Sequence, residues 1–361
     1  MKTTLTRLAL LSLLTAPSVH AFQYSLDEIK GVMNGTTVFL DTFDSAATPN
    51  YLDGTPASYS YTGNHPAPTG GKTTLSSANA TVSRVNANYI VNGALLKTNM
   101  DPASTAGFKP GKTFEVSAVY DLAVPQMANE GYFIELGDWT TSTVCSECVR
   151  LGVFKNETDG KVYISFHKRD FTTTPTTKTL VGKVLLDPGH SQIRLALKKA
   201  NASSNAITAS YSYVDGGSIG AETPISGSTA IFEKSQFTRV SYKAYTPVAA
   251  VASQGTSQNL TLDANVNGAG GTYAGKTGNI YVAALYQGSI YFHNGSTWVV
   301  WSNGAMPPYA TGVALSQDRT VPIVKDMDVS GLKGLTVLVG YGENESDMMD
   351  NSVWSTIYPL E

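Results

Sequence analysis

The strongest constraint on this chain is its hydrophobic period. Between Thr113 and Leu122 the apolar residues Phe114, Val116, Ala118 and Tyr120 recur at every second position, which places them on one face of an extended strand. The same alternation runs through Gln192–Leu197, with Arg194 pointing outward, and through Ile207–Val214. Short apolar runs at Thr37–Phe43, Tyr132–Leu136, Val149–Phe154, Val162–Phe166 and Phe237–Tyr245 extend the pattern. Asp159-Gly160 and Asp215-Gly216 close strands with hairpin-type turns, because their residues tolerate the positive φ that tight turns need. Short strands punctuated by turns make a sandwich of antiparallel sheets rather than a βαβ fold. One early segment reads differently. Ser25 precedes Leu26-Asp27-Glu28-Ile29 in the pattern of a capping box, and Asn34-Gly35 follows, so a short helix is predicted there.

The chain carries few charges: 15% of its 361 residues, with 42% hydrophobic. Coiled coils and helical bundles need far more Glu, Lys and Arg. A formal net charge of −3 offers no phosphate-neutralising surface, so nucleic acid is not an expected partner. At the N-terminus, Lys2 and Arg7 precede the apolar run Leu8–Ala16, and Ala21 closes a small-residue cleavage pattern. Residues 1–21 therefore read as a secretory signal, too short to span a bilayer. No second long apolar stretch follows, so no transmembrane segment is expected. Residues 22–259 carry 19 basic and 19 acidic side chains, whereas residues 260–361 carry 4 and 9. That asymmetry divides the chain into two units. Thr246–Gln258 is small, polar and uncharged, so 246–259 is predicted as a linker between a domain over 22–245 and a smaller C-terminal β domain over 260–361. In the second unit, Asn279–Tyr286, Ser289–Phe292, Thr297–Trp301, Thr336–Tyr341 and Val353–Tyr358 read as strands, with Asn294-Gly295 at a hairpin.

Phe39-Leu40-Asp41-Thr42-Phe43-Asp44 precedes the Phe114–Leu122 and Tyr132–Leu136 strands; the paired Leu151–Phe154 and Val162–Phe166 strands and Ile193-Arg194-Leu195 follow, before Tyr211–Asp215. In this order of strands the first unit resembles the concanavalin A-like, LamG-like jelly rolls. The second unit, through Gly275–Val282, Trp298–Trp301, Val339-Gly340-Tyr341-Gly342 and Glu345–Met348, resembles a module that recurs at the C-termini of secreted and surface proteins of Gram-negative bacteria. The two resemblances imply an antiparallel jelly-roll sandwich followed by a smaller antiparallel β-sandwich. They also imply an exported protein, extracellular, at the cell surface or in the periplasm of a Gram-negative bacterium.

Several residues are candidates for chemistry. Glu135 and Asp138 lie where glucanases of the jelly-roll type carry catalytic carboxylates, but those enzymes space their acids at alternate positions. An offset of three puts two side chains on opposite faces of a strand unless Gly137 bulges. Cys145 and Cys148, the only cysteines, read as a local disulfide in an oxidising compartment, with free thiols, metal binding or redox chemistry as alternatives. Asp41, Asp44 and Asp53 flank the first strand, where jelly rolls of this type often hold calcium, although turn-capping also accounts for them. No cofactor other than this possible Ca2+ is expected. Glu343, Glu345, Asp347 and Asp350 lack a regular calcium-loop spacing and read as a solvated acidic loop. Trp139, Trp298 and Trp301 are ligand-stacking candidates, and Trp298 and Trp301, three apart on one strand, should face opposite sides.

The sequence thus leads to an exported, non-catalytic binding protein for a carbohydrate or another cell-surface ligand, lectin-like in its first unit. A jelly-roll glycoside hydrolase and a structural surface or assembly protein are the two alternatives.

Overall fold

A computed structural model describes residues 23–44, 59–64, 68–76, 81–83, 91–100, 111–127, 129–138, 147–156, 159–170, 177–231, 237, 239–268, 273–350 and 353–359. The architecture is all-β and antiparallel. Sixteen strands form the first unit: β1 (Gln23–Met33), β2 (Thr36–Asp41), β3 (Tyr59–Asn64), β4 (Thr73–Ser76), β5 (Thr81–Ser83), β6 (Val91–Met100), β7 (Phe114–Asp121), β8 (Gly131–Asp138), β9 (Glu147–Lys155), β10 (Val162–Asp170), β11 (Thr177–Leu185), β12 (Gln192–Lys199), β13 (Ala206–Asp215), β14 (Ser218–Ile219), β15 (Thr223–Ile231) and β16 (Arg239–Pro247). They make two eight-stranded sheets. The first runs β14-β13-β12-β7-β1-β2, with β15 on β13 and β4 on β1. The second runs β11-β10-β9-β8-β16-β6-β3, with β5 on β6.

The alternation in the sequence sets which face of each sheet is buried. Val116, Ala118 and Tyr120 of β7 and Ile193, Leu195 and Leu197 of β12 meet Tyr132, Ile134 and Leu136 of β8 and Val149, Leu151 and Val153 of β9 in one hydrophobic core. Tyr120 crosses this core and donates from its hydroxyl to the Phe133 carbonyl at 3.0 Å. The intervening residues of each strand form the outer faces.

The second unit has its own core, from Val248 to Ile357. Its elements are β17 (Ala249–Thr256), β18 (Asn259–Val266), β19 (Thr277–Tyr286), β20 (Ser289–His293), β21 (Trp298–Trp301), β22 (Ala310–Ala314), β23 (Arg319–Met327), β24 (Thr336–Gly342), helix α1 (Glu345–Asp350) and β25 (Trp354–Pro359). A three-stranded sheet, β17-β18-β23, packs against a six-stranded one, β21-β20-β19-β24-β25 with β22 on β19. The Asn294-Gly295 turn joins β20 to β21, with Gly295 at φ 88°, as the sequence predicts. No described helix is long and apolar enough to cross a membrane.

Three local expectations are corrected. Ser25–Ile29 is not helix but part of β1, which pairs with β4 and β7. The register slips between Leu26 and Glu28, and this bulge spaces the buried Leu26 and Ile29 three apart, the interval that imitates a helix. Residues 246–259 are not a free linker. β16 ends at Pro247 and β17 starts at Ala249, paired with β18 from Ala249↔Val266 to Thr256↔Asn259; ladder hydrogen bonds order a segment whose side chains alone give no strand signal. The acids Glu343, Glu345, Asp347 and Asp350 are exposed or half-exposed as expected, but Glu345–Asp350 is helix rather than loop. Asn344 Oδ1 caps α1 by accepting from Asp347 N–H at 3.0 Å, and Asp347 Oδ2 accepts from the Tyr273 hydroxyl at 2.7 Å.

Candidate functional site

β8 lies at the centre of the second sheet, between β9 and β16, with no register shift on either side. Tyr132, Ile134 and Leu136 turn into the core, so Phe133, Glu135 and Gly137 turn to the outer face. The ladder sets Arg150 beside Glu135 on one flank and Ser241 on the other. Arg150 donates to Glu135 Oε2 from both Nε, at 3.1 Å, and Nη2, at 2.7 Å. Lys243 Nζ donates to Oε1. Glu135 is only 2% exposed. Burial opposes its ionisation, but the positive charges of Lys243, Arg150 and Arg169 outweigh burial and hold the carboxyl well below the usual carboxylate range.

The two cations also flank an aromatic ring. The Arg150 guanidinium lies 4.0 Å from the centroid of Phe133 and Lys243 Nζ lies 5.8 Å from it, within cation–π range. Phe154 packs on Phe133 at 5.5 Å, and His167 stands edge-on to Phe154 at 6.2 Å. His167 Nε2 pairs with Ser165 Oγ at 3.1 Å. Burial, reinforced by Lys178, Arg150 and Arg169, pushes the imidazole down to about 3, so the ring is neutral. His167 Nδ1 and the wholly buried Ser241 Oγ make no hydrogen bond.

This arrangement separates the two carboxylates singled out in the sequence. β8 runs unbroken to Asp138, so the offset of three puts Asp138 on the core side, in register with Glu147. The bulge at Gly137 that would bring them together is absent from the β8 ladders. Glu135, held as an anion, has no proton to donate near neutral pH, and both of its oxygens are occupied by cations. A glycosidase pair needs one acid with a raised pKa facing a second carboxyl across the bond to be cleaved. Glu135 is ion-paired on both oxygens and Asp138 lies on the opposite side of the strand, so the two do not face each other as such a pair.

Cys148 is a free thiol, fully buried on the outer face between Gly137 and Arg169. The disulfide expected from the Cys145–Cys148 spacing is therefore not among the described features; Cys148 is fixed inside β9 by ladders on both sides, and Cys145 lies outside the described residues. Asp41 and Asp44 serve the turn after β2: Asp41 Oδ1 accepts from Phe43 N–H at 2.7 Å and Asp44 Oδ1 from the Thr42 hydroxyl at 2.7 Å. Phe43 has φ 56°, which such side-chain bonds support. Asp53 and Trp139 lie outside the described residues, and no metal-holding cluster of three His, Cys, Asp or Glu occurs among the described residues.

In the second unit, Trp298 and Trp301 do lie on opposite faces of β21. Trp301 packs edge-on against Phe292 at 6.0 Å and donates from Nε1 to the Gly304 carbonyl at 3.2 Å. Trp298 lines an apolar cavity of about 310 Å3 between the two sheets, with Leu260, Tyr286, Tyr291, Ile323 and Val337. Arg150, Arg169, His167 and Lys243 were not singled out from the sequence. Their signal is the parity of strands: each sits at an outward position of a strand whose inward residues, such as Val149 and Leu151, Ile164 and Phe166, or Val240 and Tyr242, are core. No protein-family model, no curated protein and no solved structure matches the chain.

Proposed function

We propose that the chain is an exported, non-catalytic recognition protein for a carbohydrate or another cell-surface component, and that the outer face of the second sheet is its binding surface. One observation carries the reading: the central carboxylate of that face, Glu135, is locked as an anion between Arg150 and Lys243. A group held in this way organises donors around it instead of moving protons. Phe133 and Ser241 beside it are buried; on the same outer face the half-exposed Tyr163, with Lys183 over its ring, supplies the mixture of apolar face and polar edge that sugar binding uses. The resemblance of the first unit to concanavalin A-like sandwiches supports the same reading, and the signal-like residues 1–21 support export.

The experiment is a pull-down of the mature chain with insoluble polysaccharides and bacterial surface extracts, followed by elution with soluble sugars. Retention and sugar elution are expected for the native chain. Folded protein that is retained by none of these would overturn the proposal.

A further inference from the structure

The sandwich of the second unit is not filled across its whole width. β17 lies against β25 and β18 against β24. Beyond them, between β18 and β23 on one side and β19, β20 and β21 on the other, lies the apolar cavity of about 310 Å3. Val282, Ala284 and Tyr286 share the inward face of β19, and the short side chain of Ala284 leaves the space beside it open. An apolar cavity of ~150 Å3 stays dry and takes up benzene, so one of twice that volume holds roughly a dozen carbon atoms.

The walls are graded. Leu262, Ala284, Ile323 and Val337 are buried and close the inner end. Tyr291 and Trp298 are half-buried and Met327 is exposed, so these three form the mouth. The polar tips along the wall differ in what they touch. The Tyr286 hydroxyl donates to the Gly331 carbonyl at 3.1 Å. Among the described residues, the Tyr291 hydroxyl and the Trp298 indole N–H have no hydrogen-bond partner. An indole N–H only donates and a phenol can donate, so the group that complements both is an acceptor oxygen. No lining side chain among the described residues carries a charge. A carboxylate placed there would lose its water without gaining a counter-ion, and the 9 acids against 4 bases over 260–361 disfavour it further. An ester or another neutral carbonyl meets both conditions.

We propose that this cavity binds an uncharged acyl chain, with the hydrocarbon between the two sheets and the carbonyl oxygen at the Tyr291 and Trp298 tips. The site belongs to the second unit and stands whether or not the first unit binds a glycan.

The test is calorimetric titration of the chain without residues 1–21 with methyl octanoate, methyl butanoate and, near neutral pH, octanoate. Methyl octanoate should bind as a single molecule per chain. Methyl butanoate, four methylenes shorter, should bind roughly a hundred-fold more weakly. Octanoate, which carries a charge, should bind roughly ten-fold more weakly or worse. Ala284→Leu should occupy the space and weaken methyl octanoate binding roughly ten-fold or more. Tyr291→Phe removes a hydroxyl that has no partner in the fold, so it should leave stability unchanged and weaken binding roughly five-fold. Circular dichroism confirms that each variant is folded. Absence of methyl octanoate binding, or binding that Ala284→Leu leaves unchanged, would overturn the inference. Binding that Tyr291→Phe leaves unchanged would overturn the placement of the carbonyl, and octanoate bound as tightly as its ester would overturn the uncharged class. Sedimentation of the ligand-free chain tests the other occupant: a dimer that Ala284→Leu dissociates would place a second copy in the cavity and overturn the inference as well.

Discussion

Arg150 clasps Glu135 across the β8–β9 ladder, with Nε and Nη2 converging on a single carboxylate oxygen at 3.1 and 2.7 Å. The pair is buried, at 9% and 2% exposure. Two charges out of water are stable only together, so removing one exposes the cost of the other. Glu135→Leu should lower the unfolding free energy by about 3 kcal/mol, since it strands Arg150 and Lys243 beside Phe133. Adding Arg150→Met should recover part of that loss, because an apolar pair of similar volume needs no partner. Urea denaturation of the single and double variants measures both effects. A single variant as stable as the native chain would contradict the pairing.

Acid should weaken the first unit through two groups acting in the same direction. His167 is neutral in the fold, pushed down to about 3 from an ordinary 6.5. The unfolded chain therefore takes up its proton first, and the stability is complete above 6.5 and lost as pH falls from there. Glu135 is held below its ordinary 4.5, so its contribution is complete above 4.5 and lost below it. Each proton taken up on unfolding contributes a slope of at most about 1.4 kcal/mol per pH unit. His167→Asn should flatten the stability profile between pH 6.5 and 4.5 and preserve the fall below. Denaturant midpoints across this range check it, and an unchanged profile would contradict the buried neutral ring.

Gly152 lies opposite Phe133 in the ladder. A Cβ at this position would run into Phe133 Cβ and the Tyr132 carbonyl. The absence of a side chain is what lets the Phe133 ring settle on the outer face between its cations. Gly152→Ala should cost about 2 kcal/mol by forcing that ring or the strand to shift. A change within about 0.5 kcal/mol in the same denaturation assay would show that the ladder yields without strain.

The apolar cavity of the second unit, about 310 Å3, leaves its lining side chains without neighbours on one side. Ala284 lines it and is 5% exposed. Ala284→Leu should fill part of this space and stabilise the chain by about 1 kcal/mol. Thermal unfolding provides the measure, and a lower midpoint would mean that the cavity walls are already closed against an added side chain.

Much of the fold is legible from one regularity. β7, β12 and β13 announce themselves by alternation, because one side of each is core and the other is not. Glycine turns such as Gly160 and Gly295, at φ 66° and 88°, mark where strands reverse. The pattern fails where the backbone departs from period two, as at the bulge between Leu26 and Glu28 in β1. It fails again in β17, whose small side chains are ordered by the ladder to β18. The site was legible only in part. Glu135 stands out as an acid within an apolar strand, and the offset to Asp138 already places the two on opposite faces. Its partners are another matter. Lys243 lies 108 residues away, and only the strand order β9-β8-β16 brings it to Glu135.

The most direct test of the account joins binding and chemistry in one measurement. The chain without residues 1–21, incubated with a broad panel of neutral and anionic polysaccharides, is assayed in the same samples for bound glycan and for newly released chain ends. The account predicts binding with no release, because Glu135 has no proton to give and no second carboxylate beside it. Release of chain ends that disappears in Glu135→Gln would contradict it.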